Sequence, residues 1–229
     1  MKIGFTGIEL PEGKVKYVDE KLVALEGKCE PDKVTPFFVE FVGSDFVQAD
    51  AIVIPKEKIL DLLIQDIEKF ESRLQNTNDQ AEKNLIAKSM AYLEKETPLC
   101  DGDFNEGEQK YLCVLAPLCA KPVVILDKPA ETNEIIKKAL EKSGTMFFYT
   151  AGKKEVHAWP VKKGSDILTC AGKIHSDLAR GFIKGDVVSF DDFMKCHNFN
   201  ECKTKGLAKV VDRDYIVKDS DIIEIRFNV

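Results

Sequence analysis

The chain has 229 residues, enough for one large domain or two small ones that each bury a core. Hydrophobic residues make up 44% and charged residues 31%, which excludes a disordered chain. No apolar run approaches the roughly 20 residues that a membrane-spanning helix needs. The net charge of −6 is uneven: from Met146 onward 14 basic residues face 12 acidic ones, and the remainder holds 19 against 27. Any contact with a polyanion is therefore expected at the back.

Seven cysteines occur with no CxxC among them, and Met1-Lys2-Ile3-Gly4 runs straight into a strand-like segment with no leader before it. They read as reduced thiols, several of them in the core, of a soluble cytoplasmic protein.

Taken in order, Lys2 to Thr6 is a short strand and Gly7 to Gly13 a turn-rich stretch. Val18 to Leu25 has the apolar side of a short helix. Pro36 to Val42 is aromatic and β-branched, and Ala51 to Pro55 is short and apolar; both read as strands. The period then changes. Leu60, Leu63, Ile67, Phe70 and Leu74 make a heptad-like stripe, Gln75 to Asp79 breaks it with turn formers, and Ile86, Met90 and Leu93 make a second stripe. The two predict an antiparallel helical hairpin over about 57–97, ended by Thr97-Pro98.

Asp101 to Gln109 reads as an acidic loop, and Leu112 to Leu118 as a helix or a strand. Lys121 to Asp127 is a buried strand entering a turn at Lys128-Pro129, and Glu131 to Lys142 is a helix with Ile135, Ile136 and Leu140 on one side. From Met146 the chain is β-rich. Met146 to Thr150 and Glu155 to Pro160 form a hairpin through Ala151 to Lys154, and Ser165-Asp166 caps a short helix. Lys209 to Val211, Tyr215 to Val217 and Asp221 to Asn228 read as short strands.

Several separated motifs in the last 83 residues carry a resemblance. They are Thr150-Ala-Gly-Lys-Lys-Glu-Val-His-Ala-Trp159, Ala171-Gly-Lys-Ile-His-Ser-Asp177, Arg180-Gly-Phe-Ile183, Asp186 to Asp192, Asp214 to Asp221 and Arg226-Phe-Asn-Val229. This stretch resembles the C-terminal TGS domain (DUF933) of the YchF/Obg-like ATPase family. The resemblance implies a β-grasp, ubiquitin-like fold and an association with RNA or ribosomes. The front resembles the same family less closely, at Val18 to Leu22, Pro31 to Pro36, Val39 to Val42 and Ala120 to Val123, and its hairpin resembles the family's helical arm.

The family's nucleotide chemistry is altered here. A phosphate-binding loop needs G-x-x-x-x-G-K-[ST], so that backbone N–H groups, the lysine and a Mg²⁺-binding hydroxyl converge on the phosphates. Gly7 and Gly13 have five residues between them, Lys14 is followed by Val15, and Glu9 and Glu12 bring negative charge. Gly43-Ser44-Asp45-Phe46 stands where the second motif would place its aspartate, and Asp127 where base recognition would place an asparagine. These changes predict a degenerate loop, no hydrolysis and no cofactor, so that the chain is not expected to be an enzyme.

Cys196-His197 and Cys202 lack a fourth partner for zinc, and no metal site is expected. His175, beside Ser176, Asp177 and Arg180, reads as a hydrogen-bonded histidine at a helix start, with a ligand contact as the alternative. Lys153, Lys154, Lys162, Lys163, Lys173, Arg180 and Lys184 are candidate RNA phosphate contacts, with Trp159 or Phe182 as a stacking surface and His175 beside them.

The expected architecture is α/β. A reduced P-loop-like domain with a helical hairpin covers residues 1–145, and a TGS domain of β-grasp fold covers 146–229. The expected role is a non-hydrolysing module that binds the ribosome or RNA. The alternatives are a residual ATP- or GTP-binding switch, and an adaptor that binds a protein partner or a second copy through the hairpin.

Overall fold

The computed structural model describes residues 1–228. The final residue of the Arg226–Val229 motif lies outside the described residues. In chain order the elements are β1 (Lys2–Phe5), β2 (Gly13–Lys16), α1 (Glu20–Cys29), β3 (Lys33–Thr35), β4 (Phe38–Phe41) and β5 (Ala51–Pro55). There follow α2 (Ile59–Asn76), α3 (Gln80–Leu93), α4 (Glu106–Leu115), β6 (Val123–Leu126) and α5 (Thr132–Lys142). The chain ends with β7 (Thr145–Ala151), β8 (Glu155–Lys162), α6 (Ile167–Ile174), α7 (Ser176–Arg180), β9 (Phe182–Ser189), α8 (Phe190–Met194), α9 (Phe199–Thr204), β10 (Lys209–Val211) and β11 (Asp221–Phe227). The fold is mixed α/β with two sheets.

Two compact units result. Unit 1 is 1–15 with 39–143, and unit 2 is 16–38 with 144–228. The division departs from a boundary at 145/146, because Lys16–Phe38 joins the C-terminal part. The physical cause is pairing and packing. β3 pairs in parallel with β8, matching Lys33 with Glu155 and Thr35 with His157. α1 packs on β7 and β8 through buried Leu22 and Leu25.

Unit 1 has the sheet order β2-β4-β1-β5-β6. β1 is parallel to β4 and β5, and β5 to β6. All five residues of β5 are buried, which explains its unbroken apolar run. Lys121 Nζ closes the loop before β5 by donating to the carbonyls of Phe46, Val47 and Ala49 at 2.7–2.8 Å.

α2 and α3 form the expected hairpin, with a seam different from the heptad reading. Ile59, Leu62, Leu63 and Phe70 are buried, whereas Leu60 and Leu74 are exposed. A straight helix has 3.6 residues per turn, so a 3.5-residue stripe drifts off the buried face at its ends. The connection is locked by Glu82, which accepts from Arg73 and from Thr77 Oγ1, while Asp79 caps α3 through Ala81 N–H. Buried Asp66 accepts from the N–H groups of Leu118 and Cys119 at 2.7 and 2.8 Å, anchoring the chain that leads to β6.

The acidic loop expected at 101–109 instead opens α4. Asn105 and Glu108 form a reciprocal capping box, a signature that the helix's weak apolar pattern concealed.

Unit 2 has the order β10-β9-β11-β7-β8-β3. β7 is antiparallel to β8 and parallel to the last strand, β11, which is antiparallel to β9. One face is covered by α6, whose Ile167, Cys170 and Ala171 pack with Met146, Phe148, Val161 and Ile223. Gly185 in β9 makes room for that helix, since a Cβ there would lie 2.2 Å from Ile167 Cδ1. α1 and α8 pack against one another, α8 also on β9 and β11. The strand expected at 215–217 is reduced to a single bridge between Asp166 and Ile216. Among the described residues no helix is long and apolar enough to cross a membrane.

Candidate functional site

Unit 1 has a cleft of about 360 Å³ at the C-terminal ends of β1, β5 and β6, where open parallel sheets bind their ligands. Gly7, Glu9, Pro55, Glu57 and Asp127 to Ala130 line it. The candidate loop residues are divided. Gly7, at φ +70°, borders the cleft, whereas Gly13 and Lys14 lie in β2. The loop therefore enters a strand, and the helix N-terminus that would face a phosphate is not formed after it. Three carboxylates border this cleft with Lys128 as its cation, and Lys56 lies 3.6 Å from Asp127.

In unit 2 the candidate basic residues separate. Lys153 and Lys154 sit at the tip of the β7–β8 hairpin, and Lys162 and Lys163 at the opposite end of β8, roughly 25 Å away by strand rise. Arg180 is paired with Asp177 at 2.9 Å, Lys184 with Asp212, and Lys153 lies 3.6 Å from Glu30. His175 caps the short α7, its Nδ1 accepting from Asp177 N–H at 3.1 Å. Buried Cys196 and Cys202 with exposed His197 do not assemble a metal site. Among the described residues no group of three or more His, Cys, Asp or Glu side chains is placed to hold an ion.

Trp159 is half-buried rather than an open stacking surface. His157 stacks on it at 3.6 Å between centroids, and its Nε1 donates to Thr150 Oγ1 at 3.1 Å. Glu155 accepts from Thr35 Oγ1 at 2.6 Å and lies 3.0 Å from Lys33 Nζ. The Thr35 hydrogen bond, followed by that of Lys33, holds Glu155 below the usual carboxylate range. Burial lowers the His157 pKa, with the neighbouring Glu155 carboxylate opposing it. Glu155 and His157 are not among the residues that charge and motif single out, although the period-two pattern of Glu155-Val-His-Ala-Trp159 sets them on the face of Trp159.

The hairpin tip borders a second cleft in unit 2, of about 340 Å³, that the sequence did not point to. Lys28 at the end of α1, Lys153, and His197, Asn198 and Asn200 from the α8–α9 corner line it over the rings of Phe193 and Phe199. These residues lie far apart in sequence, and only the packing of α1 on the sheet brings them together.

Residues 145–228 match the family model YchF-GTPase_C, described as a protein of unknown function (DUF933). A Ribosome-binding ATPase YchF of Mycoplasma genitalium is 41% identical over 97 residues, 42% of this chain and 26% of that protein. An Obg-like ATPase 1 of Danio rerio is 42% identical over 96 residues, 42% of this chain and 24% of that protein. The matched stretch thus spans about a quarter of each of these relatives. The structure of the Schizosaccharomyces pombe YchF GTPase has the same fold, with a TM-score of 0.80 over 99% of this chain and 97% of that one at 17% identity.

These names correct one expectation. The altered motifs led to the reading that the chain is not an enzyme, yet the proteins it matches are named ATPases and a GTPase, which points to an enzyme family; the sequence matches cover the C-terminal part. Through that part the chain is a relative of the YchF and Obg-like ATPases.

Proposed function

We propose that this chain is a cytoplasmic YchF-like protein whose unit 2 is a TGS domain of β-grasp fold that docks on the ribosome or on RNA. The observation that carries this reading is the 41% identity of the C-terminal part to a protein named a Ribosome-binding ATPase. The strand order supports the β-grasp assignment, with the first strand of the β-rich part parallel to the last and each flanked by an antiparallel neighbour. The uneven charge supports docking by this part, since it is the basic end of an acidic chain. On this reading 39–143 with 1–15 is a P-loop-related α/β unit carrying a helical hairpin. The test is pelleting of the purified chain with ribosomes through a sucrose cushion at low salt. Recovery with the ribosomes is expected, and a chain that stays entirely in the supernatant would discard the reading.

A second reading, an ATP- or GTP-responsive switch, is favoured by the cleft at the C-terminal ends of the parallel strands. It predicts saturable binding of a fluorescent nucleotide that is lost when Ala130→Trp fills the cleft. No saturation at millimolar nucleotide would remove it.

A further inference from the structure

The cleft of unit 2 carries two lysines, Lys28 and Lys153, on its walls. Lys28 Nζ donates to the carbonyl of Met194 at 3.2 Å and lies 5.6 Å from the centre of the Phe193 ring, contacts with neutral groups rather than with a carboxylate. Lys153 is mostly exposed and makes a loose, solvent-screened pair with Glu30 at 3.6 Å. Glu224, the carboxylate on the rim, is already occupied by Lys203 at 2.7 Å. The two lysines therefore set the sign of the cleft. Its floor of buried Phe193 and Phe199 is apolar, which strengthens a charge pair formed above it.

One wall is tied to the rest of unit 2 by a backbone hydrogen bond. Asp32 N–H donates to the Lys153 carbonyl at 2.9 Å, tying the hairpin tip to the segment that leaves α1. Binding then needs little loop ordering, which favours affinity. The size, about 340 Å³, falls in the range of roughly 300–1,000 Å³ typical of small-ligand sites and exceeds what a single carboxylate fills. His197 and Asn200 add donors and acceptors at the rim. Among the described residues the Asn200 side-chain amide has no intramolecular hydrogen bond.

We propose that this cleft holds one nucleotide unit of a single-stranded RNA segment, with Lys28 and Lys153 on its phosphate and His197 and Asn200 on its sugar or base edge. Cations together with an amide and an imidazole suit a phosphate attached to a heteroatom-rich base. An acidic peptide would use the lysines and leave the amide and imidazole without a task. The proposal rests on the reading of unit 2 as an RNA-docking domain and names where that docking occurs.

The test is fluorescence anisotropy with a labelled, unstructured RNA of roughly a dozen nucleotides, a length within the usual range of single-strand sites. Lys153→Glu and Asn200→Asp change exposed rim residues and are each expected to weaken binding about tenfold. Lys153→Ala is expected to lower the slope of log K against log salt by about 1. Lys28→Gln is expected to match Lys153→Ala in weakening binding. Because Lys28 also holds the Met194 carbonyl, its unfolding is followed by Trp159 fluorescence. Lys137→Glu, an equal charge change in unit 1, is expected to bind as the parent does. If the parent binds RNA and the Lys153 and Asn200 variants bind it equally well, this cleft is not the site and RNA docking by unit 2 stands. If the parent binds neither RNA nor ribosomes, both the site and the docking reading fall. Displacement of the RNA by polyglutamate, or by inorganic phosphate at matched ionic strength, would overturn the assignment to RNA.

Discussion

Replacing Asp19 by alanine is expected to destabilise unit 2 by about 2–4 kcal/mol. One oxygen of Asp19 accepts from Lys21 N–H at 3.0 Å and caps α1, and the other accepts from Tyr149 Oη at 2.6 Å. Loss of the cap costs about 1 kcal/mol. The Tyr149 side chain is 2% exposed, so its hydroxyl would be left without water, at about 1–3 kcal/mol more. The chain has one tryptophan, Trp159, and it lies in unit 2, so its fluorescence during urea unfolding follows that unit alone. With a urea slope of roughly 1–3 kcal/mol per M, the midpoint should fall by about 1 M or more. Tyr149→Phe removes the donor, so the double variant should lose less than the sum of the single ones. A midpoint within about 0.2 M of the parent for Asp19→Ala, or strict additivity in the cycle, would refute the view that this buried contact binds 16–38 into unit 2.

Other consequences follow from the same geometry. Asp186 is 1% exposed; burial pushes its pKa up, but the hydrogen bonds of Arg226, at 2.7 and 2.8 Å, and of Lys203 outweigh this and hold it below the usual carboxylate range. A carboxylate lowered in the folded state contributes stability above its unfolded pKa of about 3.9 and loses it as pH falls through the folded value. Unit 2 should therefore weaken below about pH 4, and Asp186→Asn should be less stable at neutral pH with a flatter acid limb, read by Trp159 fluorescence. Phe70→Ala empties the hairpin seam and should destabilise unit 1 by about 3–5 kcal/mol, seen as an earlier far-ultraviolet dichroism transition while the Trp159 transition stays in place.

The sequence made much of the fold legible where periodicity was strong and local. β5, β6, the two hairpin helices and the β7–β8 hairpin follow from apolar patterns and turn formers that act within a dozen residues. What escaped depends on distant partners. β3 is three residues of ordinary propensity that become a strand by pairing with β8, where Lys33 faces Glu155, 122 positions further on. β9 carries Gly185 in its interior, a residue that reads as a strand breaker until Ile167 is seen against it. α8 and α9 have five and six residues, too short to show a helical period. For the candidate sites, the charged residues were visible but not their grouping. Lysines adjacent to the same strand stand at its two ends, while Lys28 and Lys153, 125 positions apart, face one cleft.

The central claim is that unit 2 docks on the ribosome or RNA through its basic residues. It is tested most directly by co-sedimentation with ribosomes across a salt series, comparing the parent with a variant carrying Lys153→Glu, Lys154→Glu and Arg180→Glu, with and without ATP or GTP. The account predicts parent binding that weakens steeply as salt rises, and loss of that binding in the variant at every salt concentration. Equal binding by the variant, or no binding by the parent even at the lowest salt, would contradict it.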